Sequence, residues 1–197
     1  ICYTLSPIHN LESYVALAKE MEKMGVLSIC IKDMAGIMSP KEAYDLVKAI
    51  KAEVNLPVVV HTHSTTGLGT TTLLKAVEAG ADVIDTAISC FSGGTSQPPT
   101  ETLEYTLSQM GYDCGLDRKC LKKINDFFKP VRAKALDSKL LNPVVLATDT
   151  DALSYQVPGG MLSNLVAQLT AAGKLEKLEE VLLEVPRVRK DMGYPPL

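Results

Sequence analysis

His61-Thr62-His63 closes the apolar run Leu56-Pro57-Val58-Val59-Val60. Side chains alternate across a β-strand, so His61 and His63 point the same way and Thr62 the other. Two imidazoles on one strand face can hold one divalent metal; the same pattern also suits one hydrogen-bonding histidine beside a structural neighbour. Lys32 ends a second apolar run, with Cys30 on its face. An unpaired ammonium buried there would cost several kcal/mol, roughly. Lys32 therefore reads either as the partner of a nearby carboxylate, or as a lysine of lowered pKa that acts as a base or takes up CO2. The resulting carbamate would turn a cation into an anionic oxygen ligand beside the two histidines. Asp85, at the end of a further strand, reads as a metal ligand, a base or, preferably, the carboxylate that orients a ligating imidazole. Two loops complete the set. Ser92–Pro99 is Gly/Ser-rich and is either an active-site loop or an ordinary connection. In Pro158-Gly159-Gly160-Met161-Leu162-Ser163-Asn164, Gly159 and Gly160 allow close backbone approach. Ser163 is expected in the first turn of a helix, as an anion contact or a plain cap. His9 reads as a loop residue.

The elements that must position these groups follow from periodicity. Strands are expected at Ile1–Leu5, Leu27–Lys32, Val58–His63 and Asp82–Ala87. Helices between them are expected from Leu11 to Met24 after Asn10, from the capping box Ser39-Pro40-Lys41-Glu42 to about Ala52, and over Leu68–Ala79. The apolar runs are continuous, as in parallel strands covered on both faces. From Thr100 onward helices are expected at Glu101–Met110, Asp117–Leu136, Met161–Ala172 and Leu175–Val185, with a loop-rich stretch over Asn142–Pro158. The stripe Leu175, Leu178, Val181, Leu182 and Val185 reads as packing. No Gly-x-Gly-x-x-Gly follows a strand, which disfavours a nucleotide-binding sheet. The fold class is α/β: about four βα units, the C-terminal part of a (β/α)8 barrel, followed by a helical extension. Residues 1–110 form the barrel portion and 111–197 the extension, with 158–164 as an active-site loop.

The net charge of −3, without a basic stripe, disfavours nucleic-acid binding. No apolar run approaches membrane-spanning length, and the chain opens at Ile1 without a signal pattern. Five cysteines without a C-x-x-C pair read as reduced thiols in a cytoplasmic protein.

Taken together, Ile31-Lys32-Asp33-Met34-Ala35-Gly36, His61-Thr62-His63, Asp85-Thr86-Ala87, Ser92–Pro98 and Pro158–Asn164 resemble the carboxyltransferase domain of biotin-dependent enzymes. The resemblance reaches down to Val185-Pro186-Arg187-Val188-Arg189-Lys190. It implies that Lys32 becomes carbamylated and joins His61 and His63 on a Zn, Mn or Co ion. It implies that Ser163 moves a proton between biotin and the pyruvate methyl group, with Gly159 and Gly160 lining the biotin-facing segment. The family commonly has Thr where Ser163 stands; the hydroxyl is kept, with a less fixed rotamer.

The implied activity is carboxyl transfer between oxaloacetate or pyruvate and biotin, with oxaloacetate decarboxylation as the leading reading. A carboxyltransferase subunit of pyruvate carboxylase and the transcarboxylase central subunit are the alternatives within the family. A metal-dependent aldolase or lyase of the same barrel type, and an inert assembly piece, are the rivals outside it. The family's aspartate ligand and its substrate-gripping Arg and Gln lie on earlier strands, so the chain is expected to begin mid-barrel and to be inactive alone. No biotin-attachment motif is present, because Met21-Glu22-Lys23-Met24 falls in a helix. Biotin is expected on another domain or subunit. A homo-oligomer, and membrane subunits of a decarboxylase complex, are the other expected partners.

Overall fold

The computed structural model describes residues 1–196; Leu197 and the side-chain environments of Val144, Gly159 and Ser163 lie outside the described residues. Three parallel strands, β1 (Ile29–Asp33), β2 (Val58–Thr62) and β3 (Val83–Ile84), stand in the order β1-β2-β3. The expected first strand is a single parallel bridge, Cys2 to Lys32, made by Tyr3 N–H to the Lys32 carbonyl at 2.9 Å and Lys32 N–H to the Ile1 carbonyl at 2.8 Å. The fourth expected strand contracts to two residues, because after Asp85 the chain turns to meet Pro98 and Pro99 rather than extending the ladder.

Helices α1 (Leu11–Lys23), α2 (Pro40–Glu53) and α3 (Gly69–Glu78) connect the strands. Asn10 caps α1 by accepting from Ser13 N–H at 2.9 Å. Ser39 and Glu42 form the reciprocal capping box of α2, with Pro40 in the first turn, where its missing N–H costs nothing. The helices cover one face of the sheet. Ile29, Ile31, Val58 and Val60 are fully buried there, with Leu46, Val47 and Ile50 of α2 and Leu73 of α3. Each such side chain contributes roughly 1.5–3 kcal/mol on burial.

The opposite face carries the alternate residues. Cys30, Val59 and His61 are half-buried and Lys32 is exposed. The expectation of strands covered on both faces is thus corrected: apolar sequence is continuous along β1 and β2, but among the described residues helices pack on only one face.

Beyond β3, α4 (Thr100–Gln109) and α5 (Arg118–Asp137) follow, then the short α6 (Ala152–Tyr155), α7 (Gly159–Ala171) and α8 (Leu178–Asp191). The last expected helix is divided, with a 3-10 turn at Leu175–Lys177 before α8, which runs on through Pro186. Only part of its apolar stripe packs. Leu182 and Val185 join Leu162 against the small cluster Ala152, Tyr155 and Val157, while Leu175 and Val181 stay exposed.

Candidate metal centre

Parallel register puts Lys32 of β1 beside His61 of β2. The next pairing, Val60 with Ile84, brings Asp85 alongside His61 on the other flank. The three therefore form a row across the open face. His61 Nδ1 lies 2.8 Å from Asp85 Oδ2, and His63 Nδ1 lies 2.5 Å from the Thr95 carbonyl oxygen. An ionised carboxylate and a carbonyl only accept, so both Nδ1 atoms carry the proton. The two Nε2 atoms then present lone pairs to each other at 3.1 Å.

That arrangement is repulsive unless a cation or proton sits between them. Two metal–nitrogen bonds of roughly 2.0–2.1 Å meeting at about 90–110° would separate the nitrogens by roughly 2.9–3.4 Å. The pair fits a divalent metal on separation, tautomer and outer-shell anchoring. Burial pushes the His63 pKa below the ordinary imidazole value; the bond to Thr95 and the Asp33 charge oppose that shift, and His61 and Lys32 add to it. The Gln97 amide nitrogen lies 3.5 Å from His61 Nε2 and 3.4 Å from His63 Nε2. Among the described residues no cluster of three His, Cys, Asp or Glu side chains suits a metal.

Asp85 thus meets His61 at Nδ1, the contact that the orienting role preferred from sequence requires. The Ser92–Pro99 loop meets the histidines through Thr95 and Gln97, two residues that sequence reading did not single out; their only signal was membership of that loop. Gly94 explains how the loop is seated. A Cβ there would fall 2.2 Å from the Val145 carbonyl oxygen, and Thr95 N–H donates to the same oxygen at 2.9 Å.

Asp33 faces away from the histidines and has a different task. Its carboxylate accepts from Ile37 N–H and Met38 N–H, both at 3.0 Å, and from Thr62 Oγ1 at 2.7 Å. Burial raises its pKa, and those three bonds oppose the rise. Gly36, at φ +67°, rests on the His63 backbone, where a Cβ would meet the carbonyl oxygen at 2.5 Å. The Lys-Asp-Met-Ala-Gly segment therefore buttresses the strand end from which His63 projects.

Three expectations change. Lys32 is exposed rather than buried, and its ammonium has no hydrogen-bond or ion-pair partner among the described residues, so the buried strand-end lysine expected from sequence is not found. Ser163 falls in the second turn of α7, because the helix starts at Gly159 with Pro158 as N-cap; it is not the capping residue. Its hydroxyl lies outside the described residues. A Cβ on Gly160 would meet nothing within 4 Å, so close approach to this chain is not what that glycine provides. The surroundings of Gly159 lie outside the described residues. His9 sits in a loop as expected, its Nδ1 2.6 Å from Ser6 Oγ. None of the five cysteines is disulfide-bonded.

Residues 6–128 match the HMGL-like family and residues 152–197 the conserved carboxylase domain, and the chain belongs to the HMGL-like family. It is 57% identical over 197 residues to a pyruvate carboxylase subunit of Methanocaldococcus jannaschii, covering 100% of this chain and 34% of that protein. It is 48% identical over 205 residues to the methylmalonyl-CoA carboxyltransferase 5S subunit of Propionibacterium freudenreichii, covering 100% and 39%. The carboxyl transferase domain of Rhizobium etli pyruvate carboxylase, solved with pyruvate and biocytin, superposes with a TM-score of 0.90 at 31% identity, covering 100% of this chain and 33% of that one. The chain spans about a third of the length of the curated relatives it matches.

Proposed function

We propose that this chain is the metal-bearing part of a biotin-dependent carboxyltransferase that exchanges a carboxyl group between biotin and pyruvate. The observation behind the reading is the convergence of the two Nε2 atoms, each imidazole anchored through its Nδ1. His61, His63 and a carbamylated Lys32 would hold a Zn, Mn or Co ion. Such an ion, when bound, supplies Lewis-acid stabilisation of charge developing on the keto acid.

The chain's own residues do the rest. Asp85 and the Thr95 carbonyl keep both imidazoles in the tautomer that leaves Nε2 free. Gln97 offers an amide at the mouth of the pair. Ser163 moves the proton between biotin and the pyruvate methyl group, and Gly159 and Gly160 lie in the segment that meets the biotin. The biotin itself arrives on another domain or subunit, and the enzyme works as a homo-oligomer in the cytoplasm.

The direction is that of pyruvate carboxylation, supported by relatives at 57% and 54% identity that are named as pyruvate carboxylase subunits. Oxaloacetate decarboxylation, the leading reading from sequence, is the same exchange reversed; membrane subunits belong only to that version. Among the described residues no helix is long and apolar enough to cross a membrane. The architecture proposed with this function is part of a (β/α)8 barrel over residues 1–110 with a helical extension over 111–197. Support comes from the parallel sheet with helices on one face and an open opposite face.

The deciding experiment uses the full-length subunit with its biotin carrier. Carboxyl transfer to pyruvate that needs ATP and a biotin-carboxylating partner supports the carboxylase. Efficient ATP-independent release of CO2 from oxaloacetate would favour the decarboxylase. Biotin-independent cleavage of a hydroxy-keto acid would favour an aldolase. Residues 1–197 alone are expected to be inactive, and turnover by that piece would contradict the partial-barrel architecture.

A further inference from the structure

One guanidinium ties the start of the chain to the start of α7. Arg189, on α8, donates from Nη2 to Thr4 Oγ1 at 2.6 Å and to the Leu5 carbonyl at 3.3 Å, and from Nη1 to Gln156 Oε1. Each end of this bridge is itself fixed. Thr4 is 1% exposed. Tyr14 Oη accepts from Thr4 N–H at 2.9 Å and donates to the Thr4 carbonyl at 3.0 Å. The preceding Tyr3 N–H bonds the Lys32 carbonyl at 2.9 Å, so Thr4 directly follows the residue that ties the N-terminal segment to the end of β1 bearing Lys32. At the other end, Gln156 is the left-handed residue, φ +56°, that terminates α6 two positions before Pro158, the N-cap of α7.

The apolar cluster of Ala152, Tyr155 and Val157 with Leu162, Leu182 and Val185 holds α6, α7 and α8 together but is separate from the cluster under the sheet. Apolar contact is non-directional and does not by itself fix the angle between the two clusters. One polar tie runs on the β2 side, where Asp149 N–H donates to the Thr65 carbonyl at 2.7 Å and Tyr155 Oη donates to the Asp149 carboxylate, and Arg189 makes the tie on the Lys32 side. A planar fork with donors in fixed directions constrains that angle from the Lys32 side, and a lysine, with one point charge, cannot address the three acceptors in the same way. The Nε–H of Arg189 is buried without a hydrogen-bond partner among the described residues. The fold bears that cost to keep the fork in place.

We propose that Arg189 is a positioning residue that fixes the Gly159–Ser163 segment relative to the strand ends bearing Lys32, His61 and His63. This rests on the carboxyl-transfer reading above. The test uses the full-length subunit with its biotin carrier and the variants Arg189→Lys, Arg189→Met and Thr4→Val. Misplacement of a reacting group by about 1 Å costs up to roughly 100-fold, so kcat for carboxyl exchange should fall about 10- to 100-fold. KM for the keto acid should stay within about twofold, because binding is left intact, and bound metal should be unchanged. Deuterium exchange over residues 157–166 should quicken about 10-fold as local opening becomes easier, while residues 58–63 keep their protection. Arg189→Lys should not rescue.

Unchanged kcat and unchanged exchange in both Arg189 variants would overturn the proposal. So would loss of metal together with kcat, which would make Arg189 a support of the whole fold. A wild type without biotin-dependent transfer would defeat the functional reading and the catalytic half of this inference; the exchange measurement would still decide whether Arg189 holds the segment.

Discussion

The two faces of one three-stranded sheet do different work. On β1 and β2, Ile29, Ile31, Val58 and Val60 are sealed under helices, while Cys30, Lys32, Val59 and His61 look the other way and keep contact with solvent. The covered face is where burial stabilises the chain. The open face is where titratable groups keep contact with solvent. Because strand residues alternate, a substitution one position along should move its effect from one property to the other.

The largest contrast is expected at His61. On the proposed carboxyltransferase reading, His61→Ala in the full-length protein should abolish divalent-metal binding and lower carboxyl transfer by about three orders of magnitude, since a Lewis acid supplies several kcal/mol of transition-state stabilisation. Its denaturation midpoint, compared with the wild type under metal-free conditions, should barely move. Metal analysis alongside a denaturant titration reads both, and retained metal would break the assignment.

Ile31→Ala, next door to Lys32, should do the reverse. The side chain is fully buried, so its truncation should cost about 2–5 kcal/mol of stability while metal stoichiometry is kept. Gly36→Ala joins the two faces. The φ of +67° and the 2.5 Å approach to the His63 carbonyl should together cost about 1–3 kcal/mol and also weaken metal binding, which urea titration and metal competition would show.

Asp85→Asn should leave stability nearly untouched and lower metal affinity about 10- to 100-fold, the usual consequence of losing the partner of a ligating imidazole. An unchanged affinity would mean that the Thr95 side of the pair sets the geometry alone.

The smallest effect is expected at the far end of β2. Asp82 accepts from Val58 N–H at 2.8 Å and from Lys51 Nζ at 2.9 Å. The Val58 bond, then Lys51, holds its pKa below the ordinary carboxylate value. A lowered folded-state pKa gives stability above the unfolded value of about 3.9 and loses it as pH falls through the folded value. Asp82→Asn should cost under about 1 kcal/mol at pH 7, because the pair is solvent-screened, and the difference should close in acid. Urea midpoints at pH 7 and in acid measure it, and a difference that grew in acid would reverse the sign argued here.

The features legible from the residues alone were local ones. A period of two placed His61 and His63 on one face, and Asn10 and the Ser39–Glu42 box marked where helices begin, because these patterns depend on neighbours two to four residues apart. The start of α7 lies two residues before the expected Met161, since Gly159 and Gly160 read as loop residues but take helical geometry beside the cluster that holds Val157 and Leu162.

That Lys32, His61 and Asp85 form one row emerged only from the folded chain, because it depends on a register set by crossovers that separate the neighbours by 24 or more positions. Folding likewise turns Asp33 away to hold the 34–38 turn, and brings the Thr95 carbonyl and Gln97 of the Ser92–Pro99 loop to the imidazoles. Strand alternation is a property of the backbone and is written in any five residues. Which face is covered, and which distant loop reaches the other, depends on how helices far apart in the chain pack.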